Sequence, residues 1–221
     1  MTRARRVGAA VCLLLFVLLA VVVAVRDGAP LPGDRATHTW SVDHRPPVAL
    51  AVFRAITATG AGALPYLLVV GAGLLAGRDA RQRLCAAAGA LAVLALGQAV
   101  RHGLMAAIAR PRPSVADWAT HTHPSGYSFP SGHATTAALT AGLVAAAVLS
   151  RSRSRGARLA VALVLVWGAA VGLSRVYLGV HWLSDVVAGW LFAAAWLALG
   201  AWVGARHVRA EAPREDAVSG P

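Results

Sequence analysis

Val7–Val25 reads VGAAVCLLLFVLLAVVVAV, 19 residues without a charge. At about 1.5 Å per residue a helix of this length reaches roughly 28 Å, the thickness of a bilayer's hydrocarbon core. The basic prefix Arg3, Arg5 and Arg6 also resembles the start of a secretory leader. The apolar run is longer than a leader's and no clear small-residue cleavage site follows it, so it is expected to be retained as a transmembrane helix. Further weakly charged stretches run from Ala55 to Gly77, Leu84 to Val100, Ala134 to Ser150, Leu159 to Ser174 and Val186 to Ala205. The stretch from Leu84 is expected to continue to about Ala109, where Pro111 and Pro113 stop it by removing donors and restricting the preceding residues. The expected fold is all-α, a polytopic membrane bundle of about six transmembrane helices.

Composition supports this reading. Of 221 residues 57% are hydrophobic and 14% charged, and the mean hydropathy is +0.61, which excludes an ordinary water-soluble globule. The net charge of +12 comes entirely from arginine, since the chain has no lysine. These arginines sit in short clusters between apolar runs, a mark of membrane topology and not of a nucleic-acid surface. Abundant alanine and arginine without lysine point to GC-rich coding and a bacterial source. Cys12 and Cys85 lie inside apolar runs and imply no disulfide.

Arg3, Arg5, Arg6, Arg78, Arg81, Arg83, Arg151, Arg153, Arg155, Arg158, Arg206, Arg209 and Arg214 fall on one side of the bundle, 13 of the 21. That side, with both termini, is expected to be cytoplasmic. Arg26, Arg35, Arg45, Arg54, Arg110, Arg112 and Arg175 lie in or next to the opposite loops, and Arg101 lies within a helix. The outer arginines need another explanation. One membrane domain is expected over 1–205, with the reactive motifs gathered in about 101–190. Arg26 to Pro47 reads as an external loop with Asp27, Asp34 and Asp43. Val48 to Ile56 is either an interfacial segment or the first turns of the second crossing. Residues 206–221 read as a mobile cytoplasmic tail.

The external loops hold the candidate chemistry. Arg110-Pro-Arg112-Pro113 closes the third helix, Pro130-Ser-Gly-His133 opens the fourth, and Ser174-Arg175 with His181 and Asp185 joins the fifth to the sixth. His181 and Asp185 are four apart and are expected to share a helix face at the membrane edge, where an unpaired carboxylate is costly. An aspartate accepting from Nδ1 fixes the histidine tautomer and leaves Nε2 with a free lone pair, as a nucleophile requires. Arg112 and Arg175 supply forks matched to phosphate oxygens. Ser131 and the start of the fourth helix add donors, and Gly132 lets the backbone approach an oxyanion closely. The group recognised is therefore expected to be a phosphate, with His133 placed to protonate a leaving oxygen.

A metal reading would draw on His121, His123, His133, His181 and Asp185. His121-Thr-His123 lacks the usual helical ligand spacing and two arginines would repel a cation, so no metal and no cofactor is expected. Trp118, Tyr127 and Phe129 read as interfacial aromatic anchors. His38, His44, His102 and His207 have no identifiable partner in the sequence.

These motifs resemble the type 2 phosphatidic acid phosphatases, which share their site with vanadium haloperoxidases. The family pattern has a lysine, six residues and Arg-Pro; then Pro-Ser-Gly-His; then Ser-Arg, five residues, histidine, three residues and aspartate. Pro130–His133 matches the second part, and Ser174, Arg175, His181 and Asp185 match the third. Arg112-Pro113 matches the end of the first, but Met105 stands at the lysine position. The resemblance implies that His181 forms a phosphohistidine, Asp185 orients it, and His133 protonates the leaving group and later activates water. It implies that Arg112, Arg175, Ser131 and Gly132 hold the phosphate, and the missing lysine makes Arg101 and Arg110 possible auxiliary cations. The implied function is metal-free hydrolysis of a lipid phosphate or polyprenyl diphosphate at the outer membrane face. A lipid phosphotransferase using the same intermediate, and a non-catalytic lipid-phosphate binding or transport protein, are the alternatives. A haloperoxidase fits least, because that activity belongs to soluble members.

Overall fold

The computed structural model describes residues 3–120 and 124–210, so His121, His123 and residues 211–221 lie outside the description. The described residues form helices and no strands: α1 (Arg3–Val25), α2 (Pro32–Asp43), α3 (Pro47–Thr59), α4 (Ala63–Ala76), α5 (Ala80–Ile108), α6 (Gly132–Arg151), α7 (Arg155–Tyr177) and α8 (Leu183–Ala210). Five of these are long and apolar enough to cross a bilayer, and the bent α3–α4 pair makes a sixth when counted as one span. Many leucines and valines of α1, α5 and α7 are exposed, as a lipid-facing surface requires.

The second crossing differs from the single straight helix expected over Ala55–Gly77. α3 and α4 meet at 51° across Gly60-Ala61-Gly62. Gly62 has φ +65°, a left-handed backbone that glycine adopts without a steric cost, and this breaks the hydrogen-bond ladder. Residues 48–56 are thus turns of α3, set at an angle to α4. The first external loop also differs, because α2 occupies most of it. Pro32 stands at the first helical position and the Asp34 carboxylate accepts from the Leu31 amide at 2.9 Å, which together start this short helix. α8 runs on to Ala210, beyond its expected end at Ala205.

α6 lies at the centre, against α4, α5, α7 and α8, while α1 packs on α8 and α3 on α7. Small residues allow the close approaches. A β-carbon at Gly73 would collide with the backbone of Ala87 on α5, and one at Gly168 would lie 3.2 Å from the Ala137 carbonyl oxygen on α6. Larger side chains fill the remainder: Phe16, Phe129, Ala188 and Phe192 form one buried cluster, and Val69, Leu94, Leu139 and Ala193 another. Phe129 is wholly buried and stacks on Phe16 with ring centroids 6.2 Å apart, so it is a core residue and not an interfacial anchor.

Candidate active site

α5 ends at Ile108, and Ala109 takes a left-handed φ of 50° that turns the chain into Arg110-Pro111-Arg112-Pro113. The following loop, the start of α6, the end of α7 and the start of α8 meet at one end of the bundle. His181 lies in the turn before α8 and not on a helix face shared with Asp185. Asp185 is the third residue of α8, and its Oδ2 accepts the Trp182 amide at 2.9 Å, fixing the helix start at Leu183. The same oxygen faces His181 Nδ1 at 3.3 Å.

Arg112 faces the other side of the ring, its Nη1 2.9 Å from His181 Nε2. A guanidinium only donates, so Nε2 carries the lone pair and Nδ1 the proton shared with Asp185. Burial pushes His181 down to about 4, against the pull of the Asp185 hydrogen bond and with the help of the Arg112 charge. The imidazole is therefore neutral near pH 7 and keeps its lone pair available. Arg112 also donates to the carbonyls of Gly126, Tyr127 and Val180 at 3.0, 2.8 and 2.9 Å, which folds the loop around it.

Ser131 is the N-cap of α6, yet its hydroxyl makes no cap bond; it is buried and has no partner within the described protein. The buried Nε of Arg175 is likewise unpartnered, while its Nη1 donates to Thr57 Oγ1 at 2.8 Å. His133 is the second residue of α6, and the guanidinium charges of Arg175, Arg112 and Arg101 are all near enough to act on it. The guanidinium carbon of Arg101 lies 3.4 Å from where a β-carbon on Gly132 would be. A cavity of about 250 Å³, lined by Arg101, Gly132, His133, Gln98, Tyr66 and the Gly60–Gly62 elbow among others, adjoins this cluster. A larger one, about 370 Å³, is lined by apolar and small residues of α4, α5, α6 and α8 and holds none of the candidate groups. Two buried donors without partners, a helix N-terminus and three guanidinium groups make a site for a tetrahedral oxyanion.

A model of the PAP2 superfamily matches residues 86–209, more than half of the chain and all of these groups. The chain belongs to the PAP2 superfamily. It is 32% identical over 180 residues to phosphatidylglycerophosphatase B of Bacillus subtilis, covering 80% of this chain and 84% of that one. It is 35% identical over 161 residues to decaprenylphosphoryl-5-phosphoribose phosphatase of Mycobacterium tuberculosis, covering 72% and 78%. The crystal structure of a transmembrane PAP2-type phosphatidylglycerolphosphate phosphatase from Bacillus subtilis superposes with a TM-score of 0.74 at 28% identity, covering 90% of this chain and 96% of that one. The chain is thus a multi-pass membrane protein of a lipid phosphatase family and a phosphoric ester hydrolase.

At this end of the bundle the structure gathers His133, His181, Asp185, Arg112, Arg175, Ser131, Gly132 and Arg101. Arg110, which the sequence pairs with Arg101 as an auxiliary cation, meets this group only through Asp185. Arg110 is wholly buried, and its Nη2 and Nη1 meet Asp34 and Asp185 at 2.7 and 2.6 Å. Both of its Nη atoms are taken by carboxylates. Asp34 was not legible as part of the site. Its helix-start signal, Pro32 followed by Asp34, is in the sequence, but nothing there ties it to an arginine 76 residues on. Other outer arginines are clamps: Arg45 donates to the Asp117 carbonyl at 2.6 Å and Arg54 to the Ala119 carbonyl at 2.7 Å. His38 has a partner after all, Asp117 Oδ2 at 3.0 Å.

Proposed function

We propose that this protein removes the terminal phosphate of a lipid phosphate or polyprenyl diphosphate through a phosphohistidine on His181. The observation that carries the reading is the placement of His181: Nδ1 on a buried carboxylate, Nε2 facing Arg112, and two unpartnered donors close by. In the first step Nε2 attacks phosphorus and the bond to the lipid oxygen breaks. His133 gives that oxygen its proton, and the lipid product departs. In the second step His133 takes a proton from water, the resulting hydroxide attacks phosphorus, and the P–N bond breaks to release inorganic phosphate. Arg112, Arg175, Ser131 and Arg101 hold the equatorial oxygens, where arginine charge offsets the charge of the transition state. The dianionic phosphate supplies the negative charge that lets His133 carry its proton. His181 Nε2 already faces a guanidinium, so a cation at that lone pair would meet like charge.

Turnover is tested on purified protein in vesicles containing phosphatidylglycerol phosphate, phosphatidate or undecaprenyl diphosphate. Free phosphate is expected from at least one of the three, with added alcohol acceptor left unmodified. A phosphorylated alcohol would make the protein a phosphotransferase, and no release from any of the three would sink the hydrolytic reading.

The reading also places the site outside the cell membrane, with both termini in the cytoplasm. The sequence positions of 13 of the 21 arginines, in segments expected on the other side, support this orientation. A cysteine at the exposed Ser125, in a background lacking Cys12 and Cys85, is expected to react with an impermeant reagent in intact cells. Reaction only after lysis would reverse the orientation.

A further inference from the structure

Arg110 lies between two carboxylates that are far apart in the sequence, Asp34 of α2 and Asp185 of α8. Its Nη2 meets Asp34 Oδ2 at 2.7 Å and its Nη1 meets Asp185 Oδ1 at 2.6 Å, and all three groups are at most 2% exposed. Ser184 joins them, its amide donating to Asp34 Oδ1 at 2.8 Å and its hydroxyl to Asp34 Oδ2 at 2.7 Å. The first external segment closes over this group. Gly28 and Ala29 give their carbonyls to Arg110 at 3.1 and 3.3 Å. Gly28 has φ +73°, and a β-carbon there would come within 2.7 Å of Pro111.

The charges decide what the arrangement does. One guanidinium between two carboxylates leaves a single net negative charge in a buried volume. Asp185 alone with Arg110 would be a neutral pair, and His181 would face a carboxylate whose field is cancelled. We infer that Asp34, from outside the motif-bearing segment, is a positioning residue for His181: by taking half of Arg110, it leaves Asp185 the negative charge that makes His181 Nε2 nucleophilic. Asp34 is suited to this, because burial pushes its carboxyl up but the bonds from Ser184, Leu31 and Arg110 outweigh that and hold it below the ordinary value. The inference rests on the phosphohistidine reading.

The titratable and charged groups facing His181 are Asp185 of α8, Arg112 of the loop after α5, Arg175 of α7 and His133 of α6. All four residues are kept when Asp34 or Arg110 is replaced, and in Arg110→Gln Asp185 loses its 2.6 Å guanidinium partner. The experiment compares kcat, KM and the acid limb of kcat/KM for the wild type, Asp34→Asn and Arg110→Gln, each normalised to folded protein. The substrate's own ionisation is common to all three. Asp34→Asn removes negative charge, so His181 binds its proton less well. The acid limb is expected to move to lower pH by about one unit. kcat is expected to fall about tenfold at unchanged KM, the size typical of outer partners of a histidine–carboxylate pair. Arg110→Gln removes positive charge and is expected to move the limb to higher pH.

Opposite shifts support the inference, and should either variant not fold, the other still reads its sign. Wild-type limbs in the folded variants, a shift of either against its expected sign, or shifts in the same direction overturn it. Ser184→Ala removes hydrogen bonds without charge and is expected to lower thermal stability with the limb in place. If His181→Ala retains turnover, it is the phosphohistidine reading that fails, a result independent of these limbs.

Discussion

Replacing His181 with alanine is expected to reduce phosphate release by more than about a thousandfold, the scale on which loss of a covalent nucleophile is felt. The expectation follows from what the ring does in the structure. Nδ1 is committed to Asp185 and Nε2 carries the ring's lone pair beside Arg112, so no other atom of the turn can take over the attack. Trp182 and Val180 flank it without a nucleophilic atom. The fold should tolerate the change, because the Asp185 carboxylate keeps the Trp182 amide and Arg110. Vanadate adopts the five-coordinate geometry of the phosphoryl transition state and is expected to inhibit the wild type. It should bind His181→Ala far more weakly, since the apical nitrogen is gone. Chelators are expected to leave wild-type turnover unchanged. Activity surviving in His181→Ala, or lost with chelator and restored by a divalent cation, would refute the mechanism.

Local pattern carried much of the fold. Runs of uncharged residues long enough for a bilayer appear as α1, α5, α6, α7 and α8, and Pro111 with Pro113 follows the end of α5 where their missing donors require it. The α3–α4 elbow was hidden because Thr59-Gly60-Ala61-Gly62 keeps the apolar composition of a continuous helix. Only the positive φ of Gly62 distinguishes it. α2 was hidden for the opposite reason: its polar sequence has no apolar stripe, and it is held by Asp34 and Ser41 against α7 and α8. The reactive residues were legible because their types and spacings carry chemistry by themselves. Their partners were not, since Arg110–Asp34, Arg175–Thr57 and Gln98–Thr136 join residues 76, 118 and 38 positions apart through tertiary packing alone.

Met105 is where the sequence departs from its family's pattern, and the structure separates the two arginines that were candidates to compensate. Arg110 is consumed by Asp34 and Asp185. Arg101 is 5% exposed and, among the described residues, has no carboxylate within ion-pair distance. Its Nε donates to Gln98 Oε1 at 2.9 Å, and Gln98 is in turn fixed by Thr136 on α6 at 2.6 Å. This holds the guanidinium against Gly132, at the N-terminus of α6 and on the wall of the 250 Å³ cavity that also holds His133. A buried cation without a counter-ion is costly, and a bound phosphate offsets that cost. Arg101 Nη1 also lies 3.5 Å from Met105 Sδ, so the two side chains reach the same place from successive turns of α5. Arg101→Gln is therefore expected to lower kcat about a hundredfold, the usual effect of removing one donor to developing phosphoryl charge. Arg110→Gln is expected to cost less. Met105→Lys in the Arg101→Gln background returns a cation to that place and is expected to recover about tenfold of the loss. Full turnover in Arg101→Gln would assign the phosphate to Arg112 and Arg175 alone. A loss that Met105→Lys leaves untouched would mean that Arg101 supports the fold of α5 and not the charge of the site.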